Sequence, residues 1–177
     1  MSLLAFLPLG KNLRDDCLKR IISLLLLSVL LLAGGCARAN APKAFLLPKC
    51  PGSVVFDEKR FDVQLDFSGE EKAVILKTEK NAFDTCYYFR DETVKLQYDT
   101  ISTELDLGAL PDTNIAALLY KMIRAAQEGK VKWEKAESGY LFHAALGGVD
   151  FSGTCKADGT LISLEVPEYR FYFKAQE

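Results

Sequence analysis

Apolar and polar residues alternate with a period of two along most of the chain after Val54. The clearest case is Phe61–Phe67, whose sequence FDVQLDF switches strictly between the two classes. Such alternation is typical of a β-strand with one buried and one solvated face. Further strand-like segments follow at 73–78, 85–90 and 93–98, with a weaker one at 101–107, all separated by short polar breaks. The pattern predicts a meander of antiparallel hairpins.

One segment has the spacing of a helix instead. Its apolar residues recur every three or four positions and form one stripe: Ile115, Leu118, Leu119, Met122, Ile123 and Ala126. The preceding Pro111-Asp112-Thr113-Asn114 offers N-cap residues, and Gly129 suits the position after the last turn. We therefore expect a helix over Ile115–Gln127 that covers the sheet with its apolar stripe.

Turn chemistry predicts the pairing of three strands near the C-terminus. A two-residue turn at Gly147-Gly148 places Phe142 opposite Gly153. A two-residue turn at Asp158-Gly159 places Gly153 opposite Leu164. The two registers were derived separately, yet both put these apolar residues on one face, and this agreement supports all three strands.

The same registers make further assignments. Cys155 is expected opposite Ile162 on the apolar face, whereas His143, Asp150 and Ser152 share the polar face. After Pro167, alternating aromatic residues predict a final strand. Together the elements predict an α+β fold over residues 54–177, a single globular domain. It is expected to be a curved, half-barrel-like antiparallel β-sheet of about eight strands, with one main α-helix on its concave face.

The N-terminal residues follow a different pattern. Lys19 and Arg20 precede thirteen residues, Ile21–Ala33, that are apolar apart from two serines, and small residues follow. This is the layout of a secretory signal, and the apolar run is shorter than the roughly 20 residues that span a bilayer. Asp15 and Asp16 are unusual so early in a signal, so we expect residues 1–17 to reflect a mis-assigned start. An ordinary secreted protein or a one-pass anchor is the alternative interpretation.

The signal ends in Ala33-Gly34-Gly35-Cys36, which resembles the lipobox of bacterial lipoprotein signal peptides. This resemblance implies that residues 1–35 are removed and that Cys36 carries a diacylglycerol on its sulfur. The protein would then be extracytoplasmic and anchored to a bacterial membrane by its N-terminal lipid. The proline-containing segment 36–53 is expected to be a tether, in which Phe45-Leu46-Leu47 could dock onto the domain.

Charge and cysteine content narrow the function. Removing the four cations and two aspartates of residues 1–35 from the totals of 22 and 24 leaves 18 Lys and Arg against 22 Asp and Glu. The net charge of −4 argues against a nucleic-acid partner. Cys50, Cys86 and Cys155 remain, as a disulfide with one free thiol or as three free thiols. No cysteine pair has zinc-ligand spacing and the chain has one histidine, so we expect no metal.

The sequence offers little for catalysis. Cys155 and His143 are predicted on opposite faces of the sheet, so they cannot form a nucleophile pair. His143, Ser152 and Asp150 share a face, but no nucleophile elbow or nearby oxyanion donor accompanies the serine. No P-loop, dinucleotide or calcium-loop motif is present. The sequence therefore predicts a protein without enzymatic activity, catalytic residues or cofactor.

The order of elements resembles the lipoprotein-carrier fold of LolA-like and LppX-like proteins. The resemblance rests on the helix Ile115–Gln127 and on four later segments: FSGT at 151–154, DGTL at 158–161, LEVP at 164–167 and FYF at 171–173. In that family a half-barrel holds acyl chains, which implies an apolar or lipid-like ligand between helix and sheet.

The residues expected to contact such a ligand lie on the helix stripe and on the apolar face of the sheet: Leu119, Met122, Phe142 and Phe151. The alternative is a structural or protein-interaction module of the cell envelope, with a filled core and a protein partner that the sequence does not identify. A cavity of about 300 Å³ or more would distinguish the first hypothesis from the second.

Overall fold

The computed structural model describes residues 41–42, 45, 47, 49–77 and 83–176. Eleven β-strands and one α-helix lie in this part of the chain. The strands are β1 (Lys49–Phe56), β2 (Lys59–Asp66), β3 (Lys72–Lys77), β4 (Thr85–Arg90), β5 (Thr93–Tyr98), β6 (Ile101–Asp106), β7 (Lys132–Ala136), β8 (Gly139–Leu146), β9 (Val149–Lys156), β10 (Leu161–Val166) and β11 (Phe171–Ala175). Helix α1 spans Ile115–Gln127, and single 3₁₀ turns occupy Leu107–Ala109 and Pro167–Tyr169.

All eleven strands form one open antiparallel sheet, in the order β6-β5-β4-β3-β2-β1-β11-β10-β9-β8-β7. The order describes two meanders, β1 to β6 and β7 to β11, with α1 between them in the sequence. The pairing of β1 with β11 joins the meanders, with Val54 opposite Phe173 and Phe56 opposite Phe171. The first strand thereby lies at the centre of the sheet, next to the last.

The predicted fold class is wrong in two respects. The sheet has eleven strands rather than about eight, and one helix of 13 residues leaves the fold mainly β rather than α+β. Strand β1 was missed because Pro51 and Gly52 seldom occur inside a sheet. Pro51 fits because it lies opposite Gln176, past the last residue of β11. Its carbonyl accepts from the N–H of Gln176, and its own missing N–H removes only the reciprocal bond at the end of the β1–β11 ladder.

Strand β7 was also missed, because its sequence KWEKA is short and polar. Such a strand is typical of a sheet edge, where charged residues discourage pairing with other chains.

Helix α1 has the bounds that the sequence predicts. Asn114 caps its N-terminus, where the side-chain oxygen accepts from the N–H of Ala117 at 3.0 Å. Gly129 follows its C-terminus with φ +71°. Leu119, Met122 and Ile123 on the predicted stripe are fully buried. The helix contacts both β3 and β8, which lie six positions apart in the sheet.

This double contact indicates a curved sheet. Six strand spacings of about 4.8 Å would separate β3 from β8 by roughly 29 Å in a flat sheet, whereas the 13-residue helix is only about 20 Å long and about 10 Å wide. The sheet therefore curls around α1. We call the side that faces the helix the inner face and the other side the outer face.

The C-terminal half of α1 is fixed to the turn between β4 and β5. The ring of Tyr120 stacks on Phe89 with centroids 4.4 Å apart, and its hydroxyl donates to the carbonyl of Asp91 at 3.1 Å. Arg124 donates to the same carbonyl at 3.1 Å and pairs with Glu92 and Glu128 at 3.1 and 2.6 Å. These carboxylates and the tyrosine hydroxyl raise the pKa of Arg124, so the guanidinium stays charged.

The predicted register between β8 and β9 is confirmed, with Phe142 opposite Gly153 and Leu146 opposite Val149. Gly147 and Gly148 both have positive φ, at 60° and 90°, as a tight hairpin turn of this length requires.

The register between β9 and β10 is correct for Gly153 and Leu164 but wrong at the turn. Cys155 lies opposite Leu161, not Ile162, because the register shifts between Leu161 and Ser163. The loop has three residues, since Lys156 bonds to Thr160, and Gly159 supplies the positive φ of 92° at its last position. The bulge at Ile162 then restores the predicted pairing.

Part of the predicted tether belongs to the sheet, because β1 already begins at Lys49. Upstream of it, Phe45 contacts Trp133 and Phe142, with ring centroids 5.9 and 5.6 Å away. Leu47 is 5 % exposed. Docking of the segment 45–47 is therefore confirmed for Phe45 and Leu47, whereas Leu46 lies outside the described residues.

The predicted signal peptide, Cys36 and residues 37–40 also lie outside the described part of the chain. Within the described part, no helix combines the length and the apolar character needed to cross a membrane.

Gly153 tests the packing of the inner face. A Cβ at this position would overlap the ring of Phe142 in the neighbouring strand. We expect Gly153→Ala to lower the free energy of unfolding of the full chain by about 1–3 kcal/mol, measured by denaturant titration. Gly108→Ala is the matched control, because nothing lies within 4 Å of its Cβ position. Equal stability of the two variants would contradict this packing.

Candidate functional site

The four residues predicted to contact a ligand lie on the inner face, but they do not surround an open site. Leu119, Met122 and Phe142 are fully buried, and Phe151 is 2 % exposed. Phe142 is enclosed by three other aromatic rings, those of Phe45, Trp133 and Phe151, at centroid distances between 4.8 and 6.4 Å. Protein side chains fill the space at this position.

A small cleft remains at one end of the contact between helix and sheet. It has a volume of about 280 Å³ and is lined by Leu118 of α1, Phe151 of β9, Val166 of β10 and Tyr169 of the second 3₁₀ turn, among others. Of the four predicted residues only Phe151 reaches it. Its volume falls just below the roughly 300 Å³ expected of a small-molecule site.

A larger cleft lies where β1 begins and β11 ends. We call it the basic cleft. It has a volume of about 800 Å³, within the range of known ligand sites. Its lining residues are Leu47, Lys49, Cys50, Pro51, Ser53, Arg60, Lys156, Thr160, Leu161, Ile162, Lys174, Ala175 and Gln176.

Apolar side chains from two separate parts of the chain line the basic cleft. Leu47 precedes the sheet, and Leu161 and Ile162 begin β10. Leu161 is almost fully buried, whereas Ile162 sits at the bulge, is half-buried and adds apolar surface to the cleft. The bulge thus places two consecutive apolar residues at one site, which strict alternation would send to opposite faces.

Cations line the same cleft. Lys49 pairs with Asp66 at 3.4 Å, and Arg60 lies 3.9 Å from Asp62. Lys174 makes no ion pair with any described residue. It lies opposite Ser53 on one neighbouring strand and Ser163 on the other. In the described part of the chain, no acidic side chain lines this cleft.

A third cleft, of about 720 Å³, is lined mainly by residues of β8 and β9, among them the polar residues considered for catalysis. His143 lies opposite Ser152, as predicted, and Asp150 is also in the lining. Among the described residues, however, no hydrogen bond joins His143 to either of them. The Nε2 atom of His143 instead lies 3.4 Å from a carboxylate oxygen of Glu134.

The three cysteines in the described residues are free thiols, which settles the alternatives left open by the sequence. Cys86 lies on the outer face of β4, and Cys155 is buried on the inner face of β9. Cys50 lines the basic cleft, and burial raises its pKa. In the described ranges, no group of three or more His, Cys, Asp or Glu residues is arranged to hold a metal ion.

Sequence reasoning missed the basic cleft because its residues come from distant parts of the chain. Lys49 and Lys174 are 125 positions apart, and only the pairing of β1 with β11 brings them to one site. One local signal existed, the consecutive apolar pair Leu161-Ile162 after a glycine turn, which breaks the alternation of β10. No protein-family model matches the chain, and no curated protein matches it significantly.

Cys155 provides a pH-dependent test of the buried inner face. Burial, followed by the negative charge of Asp158, raises its pKa from 9.0 to about 11. Only the thiolate reacts with alkylating agents, and the raised pKa lowers the thiolate fraction at pH 8 by about a hundredfold. We expect Cys155 of the native chain to be alkylated at least that much more slowly than in the urea-unfolded chain, measured by peptide mass spectrometry. Comparable rates at pH 8 would contradict its burial.

Proposed function

We propose that this protein is a lipid-anchored, extracytoplasmic lipoprotein of the bacterial cell envelope that binds a lipid-like ligand and has no enzymatic activity. The anchor would be a diacylglycerol on Cys36, as the resemblance to lipobox signals implies. The resemblance to lipoprotein carriers adds the ligand class.

One observation supports the proposed ligand binding: the basic cleft has a volume of about 800 Å³ and apolar residues in its lining. The site proposed from sequence was the space between helix and sheet, where Leu119, Met122 and Phe142 are now found fully buried. We therefore place the ligand in the basic cleft, at the junction of β1 and β11.

A protein-interaction module remains the second candidate, and a specific surface favours it. Phe83, Tyr98 and Ile101 are 45, 40 and 71 % exposed. Ile101 begins β6, which is an edge strand of the sheet, so its outer backbone groups lack a neighbouring strand. A protein partner could bury this apolar surface and pair with the free edge.

Metabolic labelling tests the anchor. Cells that express the full chain and receive a labelled fatty acid should incorporate the label at Cys36, and Cys36→Ala should lose both the label and firm membrane attachment. Cys17→Ala is the matched control and should keep both, because residue 17 would leave with the signal peptide. An unlabelled wild-type protein, or a Cys36→Ala variant bound as firmly as wild type, would overturn the anchor.

Native mass spectrometry of the full chain tests the bound ligand. Protein extracted from membranes in mild detergent should retain a noncovalent lipid in addition to its covalent acyl chains. Gentle activation should release the noncovalent lipid and leave the covalent chains in place. Protein that carries only its covalent chains, and that added lipids do not stabilise against heat, would favour the interaction module.

A further inference from the structure

The basic cleft combines apolar surface with positive charge. Pro51, Ile162 and Ala175, which are exposed or half-buried, present apolar surface, and Lys49, Arg60 and Lys174 present positive charge at the same cleft. A purely polar anion would leave the apolar surface uncovered, and a purely apolar ligand would leave Lys174 without an ion-pair partner among the described residues. The lining therefore fits a molecule that has both parts.

The charges of the lining select the sign of the polar part. Asp62 and Asp66 are the carboxylates nearest to Arg60 and Lys49, and neither is among the residues that line the cleft. Lys174, which makes no ion pair in the described part of the chain, is available to a ligand. The hydroxyls of Ser53 and Thr160 add neutral donors to the same lining. A lining whose described residues offer cations and neutral donors but no carboxylate favours an anionic group.

We propose that the basic cleft binds an amphiphile with an anionic head group and a single acyl chain in contact with protein. The acyl chain lies against Pro51, Ile162 and Ala175, and the head group is held by Lys174 with Lys49 and Arg60. This inference rests on the proposed ligand-binding function and names the ligand class and the site.

The proposed anchor brings this cleft close to a source of such molecules. Leu47 lies eleven positions after Cys36, and a fully extended chain over that span reaches at most about 40 Å. Since Leu47 itself lines the cleft, the site would stay within that distance of the membrane that holds the anchor. Anionic phospholipids of that membrane and free anionic amphiphiles share the required chemistry.

The test measures binding of defined probes to the full chain in phosphatidylcholine nanodiscs by isothermal titration calorimetry, with empty nanodiscs as the blank. Octyl phosphate carries both parts of the ligand, octyltrimethylammonium reverses the head-group charge, and inorganic phosphate lacks the chain. We expect octyl phosphate to bind at least about tenfold more tightly than either of the others.

Two pairs of variants locate the site. Lys174→Gln should weaken octyl phosphate binding about tenfold, whereas Lys95→Gln, an exposed lysine on the outer face of β5, should not change it. Ile162→Ser should also weaken binding about tenfold, whereas Ile75→Ser, on the outer face of β3, should not.

Bound ligand should slow alkylation of Cys50 relative to Cys86, which lines none of the clefts described above.

The proposal is overturned if octyl phosphate does not bind, or if octyltrimethylammonium or inorganic phosphate binds as tightly as octyl phosphate. It is also overturned if a variant and its control change octyl phosphate binding equally. Nanodiscs that contain phosphatidylglycerol show whether the ligand is a phospholipid of the membrane or a free amphiphile. Competition with octyl phosphate supports a membrane phospholipid, and its absence supports a free amphiphile.

The lipid anchor and the ligand site can be disproved independently of each other. Fatty-acid labelling of Cys36 without octyl phosphate binding removes the ligand site and leaves the anchor. Binding to the detergent-solubilised chain without fatty-acid labelling removes the anchor and leaves the ligand site.

Discussion

The pairing of β1 with β11 is the interaction on which the rest of this structure depends. It joins two separate meanders into one sheet of eleven strands. Without it, each half would expose an additional free edge and the helix would lose part of the surface that it covers. The same pairing places Lys49 and Cys50 beside the end of β11. The basic cleft is therefore a direct consequence of how the sheet is assembled.

The helix supplies the second constraint, because it contacts strands on both sides of that junction. Its apolar stripe packs into a continuous core that contains Phe89 on one side and Phe142 on the other. A core filled in this way leaves room for a ligand only at its margins. The cleft of about 800 Å³ accordingly lies at the strand ends, with Leu47 in its lining, whereas the cleft between helix and sheet measures only about 280 Å³.

Local features were predictable because nearby residues determine them. The helix bounds followed from the apolar stripe and Asn114, and the β8–β9 register followed from Gly147-Gly148. Strand β1 was not predictable, because Pro51 is tolerated only where β11 has already ended. The cleft was not predictable either, since loop closure over more than a hundred residues leaves no periodic signal in the sequence. The bulge at Ile162 shows how one additional loop residue can change a site without changing the rest of the register.

Amide hydrogen exchange of the full chain, with and without octyl phosphate, tests the central claim that the β1–β11 junction builds the ligand site. The account predicts that Val55 and Tyr172, which form a hydrogen-bonded pair of this junction, exchange as slowly as residues of β8 and β9, because all belong to one cooperative sheet. Ligand should add protection at residues 50–53, 161–162 and 174–176 and leave α1 unchanged. Fast exchange throughout β1 and β11, or ligand protection confined to α1, would contradict it.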